Sequence, residues 1–324
     1  MAHAGSENWE APLLRASFDR VAMSDERLGA EPRPSDGEPN EWEVPPAATV
    51  PALASFALGA VYLLLLLVAS RLPAPNDAWA TGISVIVFVY FPLAIVYHGV
   101  RIPLKPVAEL LAGLIALGVW LGVAGVEGRT GSALAGPARS VALLVACMFF
   151  GMLASRVLRD RNVLLPACII AGLADLLSVG WGFTAHALRE TPDLVAKLSV
   201  AVPALAPQAA SAADGKFPIL ATMGVGDLFF VALFFAAGAR FGLPLRRTFC
   251  FVFPLVALAM GLTITGVLPW QGIPGLPFIA VGFLAANLRS FRFSREEWRA
   301  MGITGAALAA LALGLLLWWR LGGG

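Results

Sequence analysis

The chain has 324 residues, of which 58% are apolar and 14% are Asp, Glu, Lys or Arg, against roughly 25% charged in an average soluble domain. A mean hydropathy of +0.78 and a net charge of only +2 exclude a cytosolic enzyme, a nucleic-acid-binding module and a disordered chain. What remains is an integral membrane protein built from several helices.

The first 46 residues read as an acidic disordered tail, with four Arg against ten Asp and Glu. The stretch Glu31-Pro-Arg-Pro-Ser-Asp-Gly-Glu-Pro-Asn40 cannot bury a core. No basic start leads into an apolar run, so it is not a signal peptide. After the tail, apolar runs recur, and a spanning helix needs about 20 such residues. Nine are expected: 48–70, 80–99, 107–126, 136–156, 163–184, 217–239, 246–267, 272–288 and 301–320. The eighth is short and begins among prolines. The fold class is therefore all-α, a polytopic membrane helix bundle, because open sheet edges cannot face lipid. Three parts follow the tail: helices 1–4 in 47–162, helices 5–8 in 163–290, and one further helix in 291–324. Cys147, Cys168 and Cys250 all lie in apolar runs, and an odd number so spread reads as core packing rather than a disulfide framework.

The tail and the even-numbered loops carry 16 Lys and Arg, and the opposite side carries 7. The positive-inside rule then puts the amino terminus in the cytoplasm and the long 185–216 loop outside. The expected location is a bacterial-type plasma membrane.

Eleven acidic residues follow the tail, and only Asp175 and Asp227 sit deep in apolar runs. Glu109, near the start of the third span, can reach the interface. A carboxylate at the bilayer centre costs about 2.5–3.5 kcal/mol, so each acid is a functional hypothesis by default. Asp175 lies eight residues before Phe183 and Asp227 ten after Phe217. At 1.5 Å per residue these are depths of roughly 12 and 15 Å from one membrane face on consecutive antiparallel helices. Two carboxyls meeting at one level share a proton and supply an acid and a base. The ionised member takes a proton from water and the protonated member stabilises the carbonyl oxygen, with no metal or cofactor. Taken alone, the two acids favour ion- or proton-coupled transport over catalysis.

Local sequence adds to the pair. Asp227 sits in Met223-Gly-Val-Gly-Asp-Leu-Phe-Phe230. Gly224 and Gly226 remove side chains where a substrate backbone must approach, or they permit tight helix packing. Asp175 sits in Ala174-Asp-Leu-Leu-Ser-Val179. Pro274-Gly275-Leu276-Pro277 opens the eighth span. Its prolines remove backbone donors and loosen the first turns, leaving groups that can pair with an extended peptide. The alternative is an ordinary helix start, where Pro is common.

These three elements, in this order, resemble the presenilin and signal peptide peptidase family of intramembrane aspartyl proteases. That family has a Tyr-Asp motif, a Gly-x-Gly-Asp motif on the next helix and a Pro-Ala-Leu motif two helices later. Asp175 corresponds to the first, with Ala174 where Tyr is usual. Gly224-Val-Gly-Asp227 corresponds to the second in full, and Pro274-Gly-Leu-Pro277 to the third, with Gly275 in place of Ala. Thr191-Pro-Asp-Leu-Val and Val202-Pro-Ala-Leu205 also resemble the stretch after the first Asp helix. The similarity covers roughly 163–290 and implies a presenilin-like core, with the ninth span an addition. It implies catalytic Asp175 and Asp227, and substrate contacts at Gly224, Gly226, Pro274, Gly275, Leu276 and Pro277. The implied partners are transmembrane proteins or peptides within the lipid bilayer. The charge bias resembles the signal peptide peptidase orientation, which favours type II segments or remnant signal peptides.

Prepilin peptidases also use two Asp and a Gly-x-Gly-Asp, but a Lys usually follows closely, where Leu228-Phe-Phe stands here. A transporter would use the acids and a broken helix for ion coupling, and a noncatalytic scaffold would use them for neither. Zinc proteolysis needs a His-Glu-x-x-His pair, which His3, His98 and His186 do not form. Serine proteolysis lacks a partner for Ser178. His98, beside Tyr97 and Arg101, reads as an interface residue.

Overall fold

The computed structural model describes residues 46–72, 76–130, 134–180, 190–205, 219–266 and 274–291, with isolated positions at 186, 295, 296, 299, 303 and 314. The chain divides into two units, Met1–Val44 and Pro45–Gly324. The expected tail lies outside the described residues apart from Pro46, and so does the expected ninth span apart from positions 303 and 314.

The first five apolar runs form helices α1 (Pro46–Val68), α2 (Asp77–Gly99), α3 (Pro106–Thr130), α4 (Ala135–Ser155) and α5 (Leu164–Gly180). A short helix α6 (Pro192–Lys197) and two strands, β1 (Ser199–Pro203) and β2 (Ile219–Gly224), follow. Then come α7 (Val225–Arg240), α8 (Leu245–Thr265) and α9 (Leu276–Asn287). Among the described residues six helices are long and apolar enough to cross a bilayer: α1 to α5 and α8. The protein is therefore a multi-pass integral membrane protein. Large apolar side chains on α1 and α3, such as Phe56 at 78% and Ile115 at 67% exposure, form the surface that lipid covers.

Two expectations need correction. The bundle is not all-α, and the run 217–239 is not one span. Its first part is β2, paired antiparallel with β1 from Ser199 opposite Gly224 to Pro203 opposite Ile219. A short apolar run does not distinguish a strand from a buried helix. Here the pairing supplies the backbone partners that a membrane interior otherwise withholds. β1 is buried along its whole length against α4 and α2, while β2 is exposed at Ile219 and Thr222. The run 272–288 is likewise a short helix, α9, rather than a full span.

Helix α7 lies at the centre, packed by α2, α4, α8 and α9, and it buries Leu228, Val231, Phe234 and Phe235. Surrounded by protein, it need not itself match the bilayer thickness. Its closest crossing is with α4 at Gly151. A Cβ there would stand 2.6 Å from Ala232 Cβ, 2.7 Å from Phe229 O and 2.9 Å from Leu233 N. Two of those atoms are backbone and cannot turn away. Helix α5 lies against α9.

The α4–α7 crossing yields a stability prediction. Gly151→Val should destabilise the protein in detergent by about 2 kcal/mol or more, since overpacking at a backbone contact forces the helices apart. Gly118→Ala, where a Cβ meets nothing within 4 Å, should leave the unfolding temperature unchanged.

Candidate functional site

Asp227 is in the first turn of α7, not in the middle of a span. The strand β2 runs straight into this turn through Gly224, which has extended backbone angles of φ −66° and ψ 151° and serves as the N-cap. Asp227 is three residues further on, the position from which a side chain reaches back toward its cap. Its Oδ2 stands 3.5 Å from where a Gly224 Cβ would be. Gly226 faces open space, with nothing within 4 Å of a Cβ placed there.

Asp175 is half-buried near the end of α5. It accepts a hydrogen bond at Oδ2 from the Leu276 N–H, 3.0 Å away, and the Gly275 amide also faces it. These donors belong to the first turn of α9, whose leading amides have no partner within the helix. Pro274 and Pro277 carry no N–H at all. Among Pro274–Pro277, the amides able to donate are thus those of Gly275 and Leu276, and both point at Asp175. The Gly275 carbonyl accepts from Phe278 and Ile279.

Asp227 reaches the same turn from the other side. A Cβ on Gly275 would lie 2.6 Å from Asp227 Oδ1 and 2.8 Å from its Cγ. The carboxyl therefore occupies the space that any side chain at 275 would take. Pro274 and Leu276 are buried and Pro277 is half-buried. Three segments separated by some fifty residues each meet on one helix turn. Two carboxyls so placed can hold and pass a proton and can orient a water.

Side chains not singled out in the sequence brace this site. Buried Arg139 on α4 donates from Nη1 to Ala196 O at 3.0 Å and pairs with Glu127 at 2.9 Å. Trp120 on α3 donates to Lys197 O at 3.3 Å. Ser140 Oγ accepts from the Ala201 N–H of β1 at 3.4 Å. Cys147, expected to be core packing, is buried and also points its thiol at Val225 O, 3.7 Å away. Together they tie α3 and α4 to α6, to β1 and to the start of α7, and so fix where Asp227 begins. Its position as a basic residue inside the apolar run 136–156 is the sequence signal by which Arg139 could have been found.

No protein-family model matches this chain, and neither a curated protein nor a solved structure matches it significantly.

The contact between Asp227 and Gly275 can be checked without any activity. With Cys147, Cys168 and Cys250 replaced by Ala, the pair Asp227→Cys and Gly275→Cys should cross-link under a membrane-permeant oxidant. Their Cβ atoms fall within the roughly 3.5–4.5 Å that a disulfide spans. Failure to cross-link in folded protein would refute the placement.

Proposed function

We propose that this chain is an intramembrane aspartyl protease that hydrolyses peptide bonds of transmembrane segments or remnant signal peptides. One observation carries the reading: Asp175, Asp227 and the Pro274–Pro277 turn, remote in sequence, share one contact region at one end of the bundle. The ordered motifs resembling the presenilin and signal peptide peptidase family supply the chemistry, and the convergence supports it.

One carboxyl is ionised and the other protonated. A water held between them loses a proton to the carboxylate as its oxygen bonds to the peptide carbonyl carbon. The protonated carboxyl gives its proton to the carbonyl oxygen, forming a neutral tetrahedral diol. Collapse breaks the C–N bond and the nitrogen leaves with a proton returned from the dyad. No metal or cofactor takes part in these steps. A two-stranded sheet leaves each strand one unpaired edge. β2 is the more exposed strand and leads directly to Asp227, so an extended substrate pairing there is delivered to the acids. Gly224 and Gly226 keep that approach clear, and the Pro274–Pro277 turn holds Asp175 ready through its two amides.

The basic loops 100–105 and 156–163, together with Arg240, Arg246 and Arg247 around the turn 241–244, lie at the end of the bundle opposite the hairpin. The positive-inside rule assigns that end to the cytoplasm, so the hairpin and the dyad open toward the other side. Type II segments are the favoured substrates in that orientation.

The deciding experiment is cleavage of model transmembrane peptides in detergent. Asp175→Asn and Asp227→Asn should each reduce product by at least about 100-fold, the scale of a lost general acid or base. Gly275→Ala should fold yet lose much of its rate, because its methyl displaces the Asp227 carboxyl. Equal product from wild type and both Asn variants would refute proteolysis. Ion flux in proteoliposomes that Asp227→Asn abolishes, with no peptide cut, would establish a transporter instead.

A further inference from the structure

At the far end of α7 from Asp227, thirteen residues and roughly 20 Å along the helix, the ends of α2, α3, α4, α7 and α8 line an open cavity of about 560 Å³. Arg101, Arg156 and Arg240 line it, and among the described residues Glu109 is the one carboxylate there. The rest of the wall is largely apolar and includes Ile102, Met152 and Leu243.

The charges do not cancel. Glu109 is 3% exposed and is fully engaged by Arg156. Nε donates to Oε2 and Nη2 to Oε1, both at 2.7 Å, and Nη2 also donates to Leu104 O at 2.7 Å. That ion pair is complete in itself. Arg101 stacks on the Tyr97 ring, 3.9 Å from its centroid. Arg240 donates from Nη1 to Ser155 O and lies 5.6 Å from the Phe241 ring. These partners are neutral, and among the described residues no carboxylate pairs with Arg101 or Arg240. Capping the α4 carboxyl end uses one nitrogen of Arg240, and a guanidinium has five N–H donors.

A planar fork of that kind matches phosphate oxygens. The rings and carbonyls already hold both side chains, which lowers the ordering cost of binding a ligand. The volume lies in the ordinary range for small-molecule sites. Its place at the ends of spanning helices, with apolar wall beside the charges, suits a molecule that is anionic at one end and hydrocarbon at the other. We infer that this cavity binds the phosphate headgroup of an anionic glycerophospholipid between Arg101 and Arg240, with its glycerol and upper acyl carbons against Ile102, Met152 and Leu243. The site is independent of the proteolytic reading. Bound lipid there staples the ends of α2, α4 and α7.

The test uses the full chain in neutral detergent, read by native mass spectrometry and thermal shift. The probes are dioctanoyl phosphatidylglycerol, dioctanoyl phosphatidylcholine and inorganic phosphate. Phosphatidylglycerol should bind saturably and raise the unfolding temperature, and the other two at equal concentration should not. Arg101→Gln with Arg240→Gln should weaken phosphatidylglycerol binding about 10- to 30-fold. Arg246→Gln with Arg247→Gln, at the same membrane end but outside the cavity, should change it less than about twofold. Equal binding of both lipids overturns the inference, as does undiminished binding by the first variant or an equal loss in the second. Full displacement by inorganic phosphate makes the ligand free phosphate and overturns the lipid assignment. If the double variant does not fold, Arg101→Gln alone, in an exposed loop, is read against the same outcomes.

Discussion

The candidate site depends on the unsatisfied amides at the start of α9. A helix start in an apolar surrounding leaves N–H groups that water cannot reach. Two of the four residues at this start are prolines and bring no N–H. The Gly275 and Leu276 amides face one acceptor, the Asp175 carboxyl. Asp175 is thereby held by backbone rather than by another side chain. The missing side chain at 275 leaves a recess of carboxyl size, and Asp227 fills it. One turn thus gathers two acids that would each be costly alone.

The rest of the fold can be understood as what brings that turn, β2 and the start of α7 together. α4 is the frame. Gly151 lets α7 approach to backbone contact, Ser140 holds β1, Cys147 reaches Val225, and Arg139 anchors the end of α6. β1 in turn pairs with β2, and β2 passes directly into the Asp227 turn. A buried Arg such as Arg139 is expensive unless paired. Here it is compensated by Glu127 and by the Ala196 carbonyl at the end of α6, just ahead of the hairpin. The opposite end of the same helix carries a second ion pair, buried Glu109 with exposed Arg156, beside the basic cavity. Both ends of α4 are therefore pinned by charge, and its middle by close packing.

Much was legible in the chain, for identifiable reasons. Composition required a membrane protein, because so few charges cannot solvate so much apolar surface. The spacing of apolar runs was enough for α1 to α5 and α8, since a span imposes its own length. The cost of burying a carboxylate singled out Asp175 and Asp227 without any structure. Charge asymmetry between loops set an expected orientation.

What the tertiary structure alone decided was how backbone groups find partners across the chain. The run 217–239 is uniformly apolar, and nothing local says that Ile219–Gly224 should leave the helix; pairing with Ser199–Pro203, some twenty residues earlier, makes it a strand. Asp227 consequently begins a helix instead of interrupting one. Glu109 looked like an interface residue, and only its bidentate contact with Arg156 allows its burial. In the sequence Gly275 simply stands where the resembled family has Ala, and only the position of a side chain 48 residues earlier shows that a methyl there must displace the Asp227 carboxyl. Periodicity and transfer cost are properties of neighbouring residues, so the sequence carries them. Partners for buried polar groups and room for a methyl depend on distant segments, so they exist only once the chain has packed.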